Sequence, residues 1–265
     1  MPAARDHQAL LEVAEAAAVA AGDLLLERFR RPATGVKRKS SSTDMVSDAD
    51  RDAEALIRSL IGERRPGDAV LGEEGGRAAG AGDLLWVVDP LDGTTNYLYR
   101  QPVWAVSVAC EDAEGGVAGV VHHPCLGETF TAVRGGGAFC NGGPIAVSTC
   151  GDLSRSLIGT GFSYSAEVRA GQARALNDIL PRVRDVRRAG SAAIDLAWVA
   201  CGRLDGYYEL GTRHWDRAAG VLLVSEAGGV VSPLTPVGDS GDGALAAGPA
   251  LHADLAALVA PALLH

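Results

Sequence analysis

"WVVDPLDGTTNY" (residues 86–97) is an apolar run that ends in two aspartates, three positions apart, followed by Gly-Thr-Thr-Asn. "LLWVVDP" (84–90) reads as a buried strand that Pro90 ends, because proline donates nothing to a ladder. Asp89 then sits where the strand stops, and a carboxylate at such a place needs a partner. Taken alone, Asp92-Gly93 is ordinary turn chemistry, with Asp92 capping a helix that starts at Gly93 or Thr94. The surroundings point further. "LGEE" puts Glu73 and Glu74 at the end of a neighbouring predicted strand, and "HWD" puts Asp216 at a helix start that also follows a strand. Strand ends of this kind are where sites collect.

If Glu73, Asp89, Asp92 and Asp216 converge, the pocket between them holds four negative charges, which repel one another and take up protons unless compensated. Divalent cations are the natural compensation. Hard oxygen donors with no histidine or cysteine nearby in sequence point to Mg²⁺ rather than zinc. The spacing lets Asp89 and Asp92 share one side of a tight turn, with the Leu91 carbonyl free between them. The D-x-[DN]-x-[DN]-G-x5-E pattern of a calcium loop is absent. The Gly93 and Thr94 N–H groups open a helix, and a helix N-terminus beside cations is a phosphate site. The local chemistry reads as metal-assisted phosphoryl transfer.

Outward from this stretch, the chain has an ordinary globular composition: 265 residues, 47% hydrophobic and 22% charged. Its net charge of −9 argues against a nucleic-acid binder, which needs a basic face, unless a local basic patch such as "RVRDVRR" provides one. It leaves an anionic substrate open, since bound cations invert the local field. The five cysteines (Cys110, Cys125, Cys140, Cys150, Cys201) are dispersed without a CxxC. They read as reduced packing residues of a cytoplasmic protein. The N-terminal stretch is broken by Glu12, Glu15 and Asp23, too charged for a signal or membrane span. Leu10, Val13, Ala14, Ala17, Ala21, Leu24 and Leu25 recur at helical spacing, and Pro32 closes that helix.

A loop or short hairpin at "KRKSSSTD" leads to a second helix, capped by Ser47 or Asp48 and running to about Arg65. Ala53, Leu56, Ile57, Leu60 and Ile61 form its inner face. Antiparallel strands separated by Gly-rich turns follow, and beyond residues 148–154 strands alternate with helices. The pattern predicts an α+β lobe over 1–147 and an α/β lobe over 148–265. His122 and His123 in "VVHHPC" read as structural. Trp104, Trp198 and Trp215 read as core or interface aromatics, and "GGRAAGAGDLL" as a mobile edge.

"DPLDGTTNY" and "WDRAAGVLLVSEAGG", with "GEE" upstream, resemble the two signature segments of the inositol monophosphatase family, in order and spacing from about Leu10 to Gly229. "RRAGSAAIDLAWVACGRLDGYYELG" looks like its bacterial and actinobacterial members. The D-x-D-G-T of haloacid-dehalogenase-type phosphatases differs by one residue, which would misplace the second carboxylate.

The resemblance implies a layered αβαβα sugar-phosphatase-type fold, α+β / α/β in class, with the first lobe carrying most of the metal ligands and the second completing the site. It implies two to three Mg²⁺ per site: Glu73, Asp89 and the Leu91 carbonyl on the first, Asp89, Asp92 and Asp216 on the second, and Glu73 helping with a third. Thr94 and Asp50 match the pair that orients and activates the attacking water, with Glu73 also catalytic. Asp92 and the Gly93 and Thr94 N–H groups match the phosphate-binding positions, and Ser191, Ala192 and Glu209 the inositol contacts. Lys39 aligns with a basic residue of a mobile loop. Without the resemblance, Asp50 reads as a first-turn aspartate favoured by the helix dipole, Thr94 as a cap, and Glu209 as a strand-end surface carboxylate. Tyr97 stands where phenylalanine is common in the family.

The implied enzyme is a phosphate monoester hydrolase acting on a small phosphorylated metabolite by direct attack of water. Myo-inositol 1-phosphate is the leading substrate and L-histidinol phosphate the alternative. Fructose 1,6-bisphosphate and 3′-phosphoadenosine 5′-phosphate are sister substrates. Lithium inhibition and a homodimer follow from the resemblance, with no membrane or nucleic-acid partner. A reading of a different class is an interaction partner in transcription complexes, with catalysis secondary.

Overall fold

The computed structural model describes residues 6–31, 34–38, 45–236 and 241–263. Helix α1 (His7–Phe29) starts at Asp6, whose carboxylate accepts from the Gln8 and Ala9 N–H groups. Leu10, Val13, Ala14, Ala17, Ala21 and Leu25 are buried as their spacing predicts, and Leu24 is half-buried. Strands β1 (Lys37–Arg38) and β2 (Met45–Val46) pair antiparallel; of "KRKSSSTD", residues 39–44 lie outside the described residues. Pro32 and Lys39 lie outside the described residues. Helix α2 (Asp48–Arg64) is capped by Ser47, and Asp50 returns the bond to the Ser47 N–H in a capping box.

The first sheet contains β3 (Ala69–Gly72), β4 (Gly76–Ala78), β5 (Leu85–Asp92), β6 (Ala105–Asp112), β7 (Gly115–His123), β8 (Glu128–Val133), β9 (Gly137–Cys140) and β10 (Gly143–Pro144). Its order is β10-β9-β8-β7-β6-β5-β3-β4, with β3 and β5 the parallel pair. "GGRAAG" contributes the edge strand β4. Side chains alternate across this sheet with period two. On β5, Trp86 and Val88 face the core shared with α1 and α2, while Val87 faces the opposite core.

Pro90 does not end β5, contrary to the sequence reading. The strand continues to Asp92, and the register slips between Asp89, which faces Ser107, and Asp92, which faces Ala105. Three steps on β5 match two on β6, so a bulge accommodates the proline that cannot donate. In a regular strand, residues three apart point to opposite faces. The extra residue lets Asp89 and Asp92 line the same pocket. The short helix α3 (Thr94–Leu98) follows at once.

The second sheet contains β11 (Leu157–Thr160), β12 (Asp185–Arg187), β13 (Gly206–Leu210), β14 (Val230–Leu234) and β15 (Gly243–Ala247), in the order β12-β11-β13-β15-β14. Helices α4 (Ala166–Ile179), α5 (Ala192–Ala200), α6 (His214–Glu226) and α7 (Pro249–Leu263) complete the second half. Helix α6 packs on β5–β9 with one side and on β14 and β15 with the other; α5 touches β6 and β7 as well as β11, β13 and β15. The layers therefore run α1/α2, first sheet, α5/α6, second sheet, α4/α7: an αβαβα sandwich. No described helix is long and apolar enough to cross a membrane.

Candidate active site

One pocket of about 430 Å³ opens where the β5 bulge, the loop after β3 and the N-termini of α3, α5 and α6 meet. Glu73, Asp89, Leu91, Asp92, Gly93, Thr94, Ser191, Ala192, Glu209 and Asp216 all line it. Ten of the eleven positions singled out from the sequence are thus brought together.

The eleventh, Asp50, stands behind the wall. It is 1% exposed, and its Oδ1 accepts from Thr94 Oγ1 at 3.0 Å. Its Oδ2 accepts from the Ser47 N–H at 2.8 Å and Ser47 Oγ at 2.5 Å. Thr94 Oγ1 also lies 3.0 Å from the Leu91 carbonyl oxygen across the first turn of α3; a hydroxyl has one proton, so while it serves Asp50 the carbonyl keeps its lone pairs for another partner. Gly93 makes this turn possible. Its φ of 95° lies in the left-handed region, and a Cβ there would come within 3.0 Å of the Val103 carbonyl oxygen.

The carboxylates come from both halves of the chain and are tied by backbone. Asp89 Oδ1 accepts from the Leu91 N–H at 3.0 Å. Asp92 Oδ2 accepts from Ser191 Oγ and the Ala193 N–H, both at 2.7 Å, at the start of α5. Ser191 is therefore the α5 cap and an anchor for Asp92 as well as a pocket residue. Asp216 Oδ2 accepts from the Arg213 N–H at 2.7 Å, and Glu209 Oε2 accepts from Tyr207 OH at 2.9 Å. The Glu73 N–H donates to the Val88 carbonyl, which places Glu73 beside Asp89.

Asp92, Glu209 and Asp216 are enclosed yet reachable from the pocket. Burial pushes Asp89 well above the ordinary carboxylate range, and repulsion from Glu73, Asp92 and Asp216 adds to it. Burial raises Asp92 to about 6 against the lowering by its Ser191 and Ala193 bonds. Asp216 is raised well above its usual value, by burial first and then by Asp92. Burial lifts Glu209 to about 7, opposed by the Tyr207 bond and by the charge of Arg188.

No group of three or more His, Cys, Asp or Glu side chains among the described residues is already closed around an ion-sized space. The chemistry of the donor set nevertheless fits hard divalent cations. All the donors are oxygens, they share one concave site, and each carboxylate raises the cost of ionising its neighbours.

The match to known proteins is decisive for kinship. Residues 6–263 fit the model of the inositol monophosphatase family. The chain belongs to the inositol monophosphatase family. Within it, the chain is 44% identical over 232 residues to an inositol-1-monophosphatase SuhB from Mycobacterium tuberculosis, covering 84% of this chain and 80% of that one. It is 42% identical over 228 residues to the Nus factor SuhB of Escherichia coli, covering 85% of each. The crystal structure of the extragenic suppressor protein suhB from Bartonella henselae superposes with a TM-score of 0.88 at 36% identity, covering 95% of this chain and 98% of that one. Membership in the inositol monophosphatase family makes the protein a phosphoric monoester hydrolase by class.

Some residues of this pocket escape a sequence reading. Arg188 and Arg213 line the pocket beside the acids, and "RVRDVRR" gave no sign that one of its arginines faces inward. Asp195, in the apolar run "IDLAWVA", is 1% exposed, and its Oδ1 has no partner among the described residues. Burial and Glu209 raise it well above the carboxylate range. A lone aspartate in an apolar helix was the available signal. Trp104 is a core residue, tilted against Phe29 and edge-on to Tyr97, but Trp215 lines the pocket. His122 Nδ1 pairs with Thr129 Oγ1 and His123 Nε2 with the Pro102 carbonyl, so both are structural.

Proposed function

We propose that the protein is a Mg²⁺-dependent phosphatase that hydrolyses myo-inositol 1-phosphate to myo-inositol and phosphate. The observation that carries this reading is the Asp50–Thr94 pair at the edge of a pocket lined by Glu73, Asp89, Asp92 and Asp216. Glu73, Asp89 and the Leu91 carbonyl would hold one ion, and Asp89, Asp92 and Asp216 a second, with Glu73 contributing to a third. Bound there, Mg²⁺ supplies the positive charge that neutralises phosphate oxygens, favours hydroxide near neutral pH and stabilises the leaving alkoxide.

The chain's own groups do the rest. The Gly93 and Thr94 N–H groups bind the phosphate at the start of α3, and Asp92 completes that end of the pocket. Thr94 Oγ1 orients the attacking water and passes its proton toward Asp50 Oδ1; the Ser47 N–H and Oγ stabilise the Asp50 carboxylate. The water oxygen bonds to phosphorus, the bond from phosphorus to the inositol oxygen breaks, and that oxygen takes a proton from solvent water, while the attacking water's proton leaves through Asp50. Ser191, Ala192 and Glu209 face the polyol, and a Glu209 raised to about 7 serves as acceptor or donor to its hydroxyls.

The halves 1–147 and 148–265 act together in this reading, since Asp216, Ser191 and Glu209 complete a site begun by Glu73, Asp89 and Asp92. A cytoplasmic homodimer inhibited by lithium is part of the same proposal. Histidinol phosphate is the rival substrate, because its cation also suits Glu209. A second role in transcription complexes is favoured by the likeness to a protein named Nus factor SuhB. The substrate test is phosphate release from myo-inositol 1-phosphate and from L-histidinol phosphate in parallel with Mg²⁺. A large kcat/KM preference for the inositol ester is expected; preference for histidinol phosphate would move the assignment.

A further inference from the structure

Helix α2 presents Asp50 and, one turn later, Glu54. Asp50 reaches Thr94, whereas Glu54 points under the loop that follows β3. Glu54 is 3% exposed and its carboxylate is fully engaged. Oε2 accepts from the Glu74 N–H at 2.7 Å, and Oε1 from the Gly75 N–H at 2.8 Å. Arg58 Nε donates to the same Oε1 at 2.7 Å, and Arg58 NH2 continues to the Gly76 carbonyl at 2.5 Å. The two glycines bracketing the acidic pair leave room for this contact. A Cβ on Gly72 would meet the Glu54 carboxylate at 2.5 Å, and one on Gly75 would meet it at 2.7 Å. Both are closer than any real Cβ contact, so "GEEG" is a cradle built around a carboxylate from another element.

We propose that Glu54, braced by Arg58, is the positioning residue for Glu73: it clamps the backbone on the C-terminal side of Glu73 and thereby fixes that carboxylate toward the metal pocket. The Glu73 N–H is held on the other side by the Val88 carbonyl, next to Asp89. Glu73 is thus fixed from β5 in front and from α2 behind. Because α2 carries both Asp50 and Glu54, one rigid helix sets the proton acceptor and the metal-binding loop at a constant separation. A buried carboxylate taking two backbone N–H groups and a guanidinium is a strong anchor, and groups that orient ligands typically govern about 10–100-fold in metal affinity. This inference rests on the metal reading of the site.

The test is Mg²⁺ binding by isothermal titration calorimetry, with backbone hydrogen exchange of the metal-free proteins, for wild type, Glu54→Gln and Arg58→Gln. Glutamine keeps the shape but sets an NH2 against one of the two donors. Glu54→Gln is expected to weaken Mg²⁺ binding by about 10-fold or more and to speed exchange at the Glu74 and Gly75 amides. Activity at saturating Mg²⁺ should be largely retained, so the defect lies in the metal requirement rather than in kcat. Should Glu54→Gln not fold, Arg58→Gln carries the same test with a smaller loss, on the order of several-fold. Mg²⁺ affinity within twofold of wild type in the folded variant would overturn the inference and leave Glu54 a structural residue. No Mg²⁺ binding by the wild type would instead overturn the metal reading, and this inference with it.

Discussion

Thr94 Oγ1 stands 3.0 Å from Asp50 Oδ1, although 44 residues separate them in the chain. The contact joins the first turn of α2 to the first turn of α3, and it makes the two groups one unit. Thr94→Val should therefore cost on the order of 10²–10⁴-fold in kcat, and Asp50→Asn a similar amount, with little change in KM. The double variant should lose little more than either single one, as groups acting together are not additive. Steady-state kinetics on the three variants checks this; independent, multiplying losses would separate the residues.

The pocket carboxylates set a pH dependence. Asp92 sits at about 6 against an ordinary 3.8, and Asp89 and Asp216 are also raised. The native metal-free protein then binds more protons than the unfolded chain above pH ~4, so the stability these carboxylates lend is lost as pH rises from there through 6. His122 and His123 are depressed by burial and act in the opposite sense, costing stability as pH falls below ~6.5. The gain in Tm on adding Mg²⁺ isolates the carboxylates. It should grow steadily from pH 5 to pH 7.5 in thermal melts against a chelator control; a gain that is flat or shrinks would contradict the assignment.

Gly93→Ala tests the turn that carries Thr94. The left-handed φ and the close Val103 carbonyl both oppose a side chain. A loss of about 1–3 kcal/mol is expected, read as a lower midpoint in urea unfolding. A reduced kcat should accompany it because Thr94 moves. An unchanged midpoint would show that the loop relaxes without strain.

Tyr97 is a tyrosine whose hydroxyl the fold uses. Its hydroxyl donates to the Leu25 carbonyl at 2.9 Å, and its ring packs on Phe29 and Trp104. Tyr97→Phe keeps the ring cluster and removes one buried bond. It should lower stability by about 0.5–1.5 kcal/mol with kcat unchanged, again by urea unfolding and steady-state assay.

Much of this was legible in the chain because the pattern and the local chemistry agree. The α1 face, a cap at Ser47 or Asp48 and the antiparallel meander follow from periodicity and turn residues alone. The signature segments carried Glu73, Asp89, Asp92 and Asp216 to one pocket. What stayed hidden depends on long-range contact. Pro90 looked like a strand end because a bulge is a property of two strands, visible only when β6 is in register. Nothing in the spacing of α2 marks Glu54, since its partners are backbone amides 20 and 21 residues away. Arg188 and Asp195 are assigned by which way α5 and the loop before it turn, which no spacing encodes.

We propose that the four carboxylates bind Mg²⁺ for hydrolysis of a phosphate monoester. Phosphate release from myo-inositol 1-phosphate, measured across a Mg²⁺ titration for wild type and Asp92→Asn, tests it most directly. Saturable Mg²⁺-dependent turnover in the wild type, reduced by about 10²-fold or more in the variant, is the predicted result. Turnover that is indifferent to Mg²⁺, or equal in the two proteins, would contradict it.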